Sequence, residues 1–85
     1  MVDEIIIPNV GANIDEGEIA EWLVAEGDVV VAFDILFVYE TTKAAIEVES
    51  ERDGVILKII HHNGVHKPLT VVGYIGDPGD QAPQG

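Results

Sequence analysis

The pattern of short apolar runs separated by turn residues constrains the fold of this chain more than any other feature. The runs are rich in Val and Ile, and Gly, Asp, Asn or Pro stands between them. Because β-branched side chains fit a pleated, half-buried surface, such runs favour strands. Short strands at regular spacing predict an all-β sandwich or barrel.

The predicted strands fill the first 76 residues. One run has a second interpretation, because Ile19, Trp22, Leu23 and Glu26 also lie at helical spacing. That run is short and Gly stands at both of its ends, so a strand is the better prediction. The predicted strands are 5–7, 18–24, 29–31, 35–39, 44–49, 55–60 and 69–75.

A weak internal repeat accompanies this pattern. Gly17 and Gly27 recur 37 residues later as Gly54 and Gly64. At the same offset several apolar residues match, and two such units predict one core with approximate two-fold symmetry. The matched pairs are Ile19 with Ile56, Leu23 with Ile60, Ile35 with Val72, Phe37 with Tyr74 and Val38 with Ile75.

Length and composition narrow the class of protein. Eighty-five residues provide one small domain, and the lack of Cys excludes disulfides and thiolate metal ligands. The net charge of −12 argues against nucleic-acid and anionic-lipid partners and favours basic docking sites on proteins. With no membrane-length apolar run and no signal-peptide pattern, the expected location is the cytoplasm.

The C-terminal segment 77–85 differs from the rest of the chain. It contains Pro78 and Pro83 among Gly, Gln and Ala and has no apolar run to bury. Such composition is typical of an extended linker or tail. The sequence therefore predicts a domain over 1–76 followed by a flexible linker over 77–85.

One segment is a candidate functional site: Glu40-Thr41-Thr42-Lys43-Ala44, which joins two predicted strands. A tight turn there places Thr42 and Lys43 at its centre, with both side chains in solvent. From spacing alone, two interpretations stay open: a lysine that keeps the tip soluble, or a lysine that is a modification site.

At this segment the sequence resembles the lipoyl domains of 2-oxo acid dehydrogenase complexes, which carry E-T-D-K-A between two strands. The resemblance extends over about 70 residues. It includes Pro8 and Gly11 after the first strand, and Leu36, Glu47 and Asp53-Gly54 further along. Its longest stretches are Glu16-Gly17-Glu18-Ile19, Trp22-Leu23 and Glu26-Gly27-Asp28.

The resemblance implies a fold, a cofactor and partners. The fold is a flattened barrel of two four-stranded antiparallel sheets, and Lys43 carries lipoic acid as an amide. The domain is then a monomeric, non-catalytic carrier of a dihydrolipoamide acyltransferase, in the cytoplasm or the mitochondrial matrix. Its partners are the 2-oxo acid dehydrogenase (decarboxylase) component, the acyltransferase core, dihydrolipoamide dehydrogenase and a lipoate ligase or lipoyltransferase. The resemblance also implies that a loop recognises the first enzyme, through Asn9, Val10, Gly11, Ala12, Asn13 and Ile14.

The sequence departs from the family pattern in three places. Thr42 replaces an Asp implicated in partner recognition, and Phe33 replaces a common Gly. Between Gly64 and Gly73 the chain is about one residue short, and Lys67 falls where an apolar residue is common.

Three other carriers or modules share parts of this pattern. A biotinyl carrier resembles A-M-K-M at the modified lysine, and both methionines are absent around Lys43. An unmodified docking module has no reason to keep ETTKA at a hairpin tip. The lipoyl protein of glycine cleavage resembles a longer chain with added helices.

Two clusters of ionisable residues are interpreted as structural and not as metal or catalytic sites. Adjacent residues of a strand point to opposite faces, so the neighbours His61 and His62, together with His66, predict no metal site. Glu47, Glu49 and Glu51 alternate along a predicted strand, which indicates a solvated face. No nucleophile–base pattern or phosphate-binding loop is present.

Overall fold

The computed structural model describes residues 1–83, which form eight strands and no helix, so none of them lies in a helix that could span a membrane. The strands build two antiparallel four-stranded sheets, in the orders β1-β8-β6-β3 and β5-β4-β2-β7. This confirms the predicted all-β class and sheet count. The strands are β1 Asp3–Ile6, β2 Gly17–Trp22, β3 Val29–Val30, β4 Ile35–Glu40, β5 Ala45–Glu49, β6 Gly54–Ile59, β7 Gly64–His66 and β8 Val71–Gly76.

Two strand predictions were wrong. The segment 64–66 was not predicted as a strand because it is short and polar, yet it pairs with β2 as β7. The last strand begins at Val71 and not at Leu69, because Leu69 has a φ of 71° and lies in the preceding turn.

Approximate two-fold symmetry relates the two halves of the chain. Exchanging β1–β4 with β5–β8 converts the order of one sheet into that of the other. The irregularities of pairing also recur, since β2 shifts register between Ile19 and Glu21 and β6 between Ile56 and Lys58. The repeat therefore reflects two copies of one four-strand unit that share a core.

The offset between the copies is not constant, which corrects the last matches of the repeat. Val30 pairs with Gly54 as His66 pairs with Gly17, so the offset falls from 37 to 36 at β3 and β7. The equivalent of Val72 is consequently Leu36 and not Ile35. The short stretch after Gly64 accounts for the difference.

The core lies between the sheets and is mainly aliphatic, with two aromatic residues from β4. Phe37 and Tyr39 have no exposed side-chain surface. The Trp22 ring packs against Phe37 at a centroid distance of 4.7 Å, and its indole N–H donates to the His61 carbonyl at 2.8 Å. The Tyr39 hydroxyl likewise donates to the His66 carbonyl. The polar atoms of Trp22 and Tyr39 are therefore both hydrogen-bonded, as is usual for these residues when they pack in a core.

Met1 and the segment that follows β8 meet at one end of the molecule. The N-terminal amino group of Met1 pairs with Asp77 at 3.1 Å and Asp80 at 2.8 Å, and these contacts lower the pKa of both carboxyls. The Arg52 guanidinium, just after β5, pairs with Asp3 and Asp77. The domain boundary at 76 stays a prediction, and 84–85 of the predicted linker lie outside the described residues.

Candidate functional site

The β4–β5 hairpin presents Lys43 at its tip. Glu40 pairs with Ala45 across the last rung of the ladder, and Thr41 N–H donates to the Ala44 carbonyl at 2.8 Å. Thr42 and Lys43 are left as the two central residues of the turn, and both are exposed. The structure therefore has the tight turn that the sequence predicts at this position.

The Thr41 hydroxyl organises the turn. Its oxygen accepts from the backbone N–H groups of Lys43 and Ala44, both at 3.2 Å, and the hydroxyl donates to the Ala44 carbonyl at 3.0 Å. No residue of the turn has a positive φ. Two-residue hairpins usually use such conformations, so here a side chain supplies the closing bonds. Thr41 belongs to the Glu40–Ala44 motif, but the sequence alone does not predict this role.

The Lys43 ammonium group is available to a second molecule. Its side chain extends from an exposed turn and makes no ion pair among residues 1–83, although the exposed carboxylates of Glu40 and Glu47 are on the flanking strands. A primary amine on a flexible stem at a projecting tip can enter the active site of another protein and be acylated there.

The base of the hairpin rests on a close approach between backbones. A Cβ on Gly17 would lie 2.6 Å from the Glu40 carbonyl oxygen and 2.7 Å from the Tyr39 ring. Only Gly permits this spacing between β2 and β4. Gly17 belongs to the internal repeat and to the family resemblance, but neither predicts that it lies against Glu40 and Tyr39.

Tyr39 anchors the same base from inside the core. Its hydroxyl donates to the His66 carbonyl at 2.7 Å and so ties β4 to β7. Burial raises the pKa of the phenol, and the nearby Glu16 carboxylate adds to the effect. The hairpin is therefore held by a neutral, hydrogen-bonded tyrosine directly before Glu40.

The loop 9–14 lies at the same end of the molecule as the hairpin, because the chain that leaves it enters β2 at Gly17, beside Glu40. An Asx turn shapes the loop: Gly11 N–H donates to Asn9 Oδ1 at 3.3 Å, and Gly11 has a φ of 146°. Asn9, Gly11, Ala12 and Asn13 are exposed, whereas Val10 packs against the core and Ile14 is half-buried.

The histidine cluster is arranged differently from the sequence expectation. His61 and His62 are adjacent, but it is His61 and His66 whose rings stack, with centroids 4.2 Å apart. Burial, together with His66, lowers the pKa of His61. Among residues 1–83, no group of three or more His, Cys, Asp or Glu side chains is arranged to hold a metal ion.

Comparison with known proteins places the chain in a family. The family model described as "Biotin-requiring enzyme", which covers biotin and lipoyl attachment domains, matches residues 3–72. The pyruvate dehydrogenase complex protein X component of Chaetomium thermophilum is 36% identical over 93% of this chain and 21% of its own length.

Two acyltransferase components are also similar. The succinyltransferase component of the 2-oxoglutarate dehydrogenase complex of Rickettsia bellii is 39% identical over 87% of the chain and 18% of its own length. The acetyltransferase component of the pyruvate dehydrogenase complex of Zymomonas mobilis is 44% identical over 72% of the chain and 14% of its own length. The chain thus spans about a fifth or less of the relatives it matches. With its two four-stranded sheets and a lysine at the β4–β5 tip, the chain belongs to the biotin/lipoyl attachment domain family.

Proposed function

We propose that this domain is a lipoyl carrier of a 2-oxo acid dehydrogenase complex and that Lys43 is the residue that is lipoylated. The observation that carries the proposal is the exposed Lys43 side chain at the tip of the β4–β5 hairpin, in a chain similar to acyltransferase components of such complexes. The flanking Thr42 and Ala44 favour lipoate over biotin, because the methionines typical of biotinyl sites are absent.

The residues present fit a covalently attached lipoyl group. The Lys43 amine is exposed and unpaired among the described residues, so an amide can form there without breaking an ion pair. When bound, the lipoyl group supplies a cyclic disulfide that can be reduced and acylated. Lys43 is the residue that would hold this group.

The protein's own contribution is to present the lysine. Thr41 orders the turn, Gly17 lets β2 support its base, and Tyr39 ties the base to the core. A tip that projects from a rigid barrel can enter a recessed active site, and tethering within a complex raises its effective concentration there. The domain itself then needs no catalytic group.

The parent protein, its location and its partners are inferred from the relatives and from the resemblance. The parent protein is a dihydrolipoamide acyltransferase in the cytoplasm or the mitochondrial matrix. Its partners are the 2-oxo acid dehydrogenase component, the acyltransferase core, dihydrolipoamide dehydrogenase and the ligase or transferase that attaches lipoate. The loop 9–14, which lies at the same end of the molecule as Lys43, is the surface that the dehydrogenase component recognises. Glu40, Thr41, Thr42 and Ala44 form the motif that flanks the attachment lysine.

Intact mass after incubation with a lipoate ligase, ATP and lipoate tests the attachment. We expect the wild-type domain to gain one lipoyl group and Lys43→Arg to gain none. Lys58→Arg and Lys67→Arg are matched controls, because both lysines are exposed but lie outside the hairpin, and they should be modified like the wild type.

A gain that survives Lys43→Arg would place attachment at another residue. Modification by a biotin ligase, but not by the lipoate ligase, would make the domain a biotinyl carrier. No modification by either ligase would leave an unmodified docking module as the function.

A further inference from the structure

A groove of about 710 Å³ runs between the free edges of β1 and β5, on the side of the barrel that leads from the hairpin toward the chain ends. Among residues 1–83, each of these two strands is hydrogen-bonded to a neighbouring strand on one side only, so each presents unpaired backbone N–H and C=O groups. No Cα atom of β1 lies within 8 Å of one in β5. Hydrogen-bonded strands lie about 4.8 Å apart, so these two edges are too far apart to pair with each other.

The groove has an apolar floor and an acidic rim. Leu36, Val48 and Ile75 form part of its floor. Five exposed carboxylates line it against one cation, Arg52, which already pairs with Asp3 and Asp77. The five carboxylates belong to Asp3, Glu4, Glu47, Glu49 and Glu51.

Phe33 lies beside this groove in a backbone conformation that is unfavourable for a residue with a side chain. The residue has a φ of 76° and its side chain is 76% exposed. Its N–H donates to the Ser50 carbonyl at 2.8 Å, just as Leu69 N–H donates to the Ile7 carbonyl at 2.7 Å in the other half. The turn therefore requires the left-handed backbone in both halves, and Gly would adopt it at lower cost. Nothing in the turn requires a phenyl ring in solvent.

From these features we infer that the groove between β1 and β5 is a docking site for an extended basic segment of a partner protein, with Phe33 as its apolar contact. In a strand, successive side chains alternate. Lysines or arginines on one face of the segment reach the acidic rim, and aliphatic side chains on the other meet the floor and Phe33. Backbone pairing with a free edge supplies the remaining contacts.

The charge of the groove selects this occupant over a second copy of the chain. A second copy would bring a net charge of −12 to a rim that is already acidic, and edge carboxylates oppose such strand pairing. A basic segment instead neutralises the rim as it binds. The site lies away from the turn at Lys43 and does not depend on modification of that residue.

A peptide titration of the unmodified, isotopically labelled domain tests the inference. The probe is a synthetic peptide that alternates Lys with Val or Leu, and its control replaces Val and Leu with Ser. We expect backbone amide shifts concentrated on β1, β5 and Phe33 for the first peptide and at least about tenfold weaker binding for the second. The Lys43→Arg domain should bind like the wild type, which separates this result from the outcome of lipoylation.

Two matched pairs of variants identify the contacts. Phe33→Gly should weaken binding about tenfold, whereas Leu69→Gly, which relaxes the equivalent turn outside the groove, should leave it unchanged. Glu47→Gln with Glu49→Gln should weaken binding about threefold or more, and Glu18→Gln with Glu21→Gln on β2 should not.

The inference is overturned if the shifts avoid β1 and β5, or if the Ser peptide binds as tightly as the first. Equal effects of the two Gly variants would also overturn it, as would equal effects of the two Gln pairs. The rim would then act only to prevent edge-to-edge association of this chain.

Discussion

At the scale of single residues, the turn at Lys43 depends on one hydroxyl. The Thr41 side chain makes three hydrogen bonds within the turn, and each of them is exposed. Exposed bonds of this kind contribute little to global stability, because water replaces them on loss. Their effect is on local order, and local order decides how often Lys43 is presented in one geometry.

Replacing Thr41 separates the order of the tip from its chemistry. Thr41→Val keeps the shape and removes the hydroxyl, so we expect faster amide exchange at Lys43 and Ala44 with a loss of at most about 1 kcal/mol in unfolding free energy. Thr41→Ser restores the oxygen and should restore protection. Hydrogen exchange read residue by residue measures both. Unchanged protection in Thr41→Val would show that the strands alone order the turn.

Phe33 allows the cost of a left-handed backbone to be measured. Phe33→Gly and Phe33→Ala both remove an exposed ring, but only Gly relieves the positive φ. We expect Phe33→Gly to be more stable than Phe33→Ala by about 1 kcal/mol in chemical denaturation. Leu69→Gly and Leu69→Ala should differ by a similar amount, since Leu69 has a φ of 71°. Equal stabilities at either position would mean that the turn relaxes in solution.

At the scale of elements, the β6–β7 connection carries a pH-sensitive residue, His61. The carbonyls of His61 and His66 accept from Trp22 and Tyr39, and the two imidazole rings stack. The folded state lowers the pKa of His61 below its ordinary value of 6.5, chiefly through burial. The unfolded chain therefore takes up the proton first as the pH falls.

Stability contributed by neutral His61 is present above pH 6.5 and is lost as the pH falls through the lower folded-state pKa. Denaturation at pH 7.5 and pH 5 should show a smaller loss of stability for His61→Gln than for the wild type. The exposed His62 serves as the control, and His62→Gln should keep the wild-type slope. An unchanged slope in His61→Gln would assign the dependence to other groups.

At the scale of the whole molecule, two-fold symmetry places unlike features at equivalent positions. In one half the fourth strand continues into the hairpin that carries Lys43, whereas in the other half it continues into Asp77 and the chain end. β5 leads from Ala45, beside the tip, to Glu49, and the next residue, Ser50, donates its hydroxyl to the Arg52 carbonyl. The Lys43 tip and Asp77 therefore lie beyond opposite ends of β5.

The symmetry also supplies a test of this separation. Gly17 and Gly54 are equivalent, and a Cβ on Gly54 would lie 2.7 Å from the Gly76 carbonyl oxygen. Gly17→Ala and Gly54→Ala should each cost about 1–3 kcal/mol of unfolding free energy, because backbone must move. Only Gly17→Ala distorts the base of the Lys43 hairpin, so only that variant should slow lipoylation by the ligase. Equal slowing by both would mean that global stability, and not hairpin geometry, limits modification.

The sequence by itself determined the class of fold, the repeat and the hairpin with Lys43 at its centre. These depend on local information: β-branched runs, turn residues and the spacing between them. It did not determine β7, which has only three residues and little apolar character and exists because β2 offers it an edge. Nor did it determine the 36-residue offset of the later strands, which only their pairing reveals.

Only the tertiary structure decided which distant residues meet. The hydrogen bond from Trp22 to His61, the close approach of Gly17 to Glu40 and the acidic groove between β1 and β5 all join segments that are far apart in the sequence. Periodicity reports which face of a strand is buried, but it carries no information about which strand edges remain open or which neighbour a turn will face. Those contacts are set when the two halves close on one core.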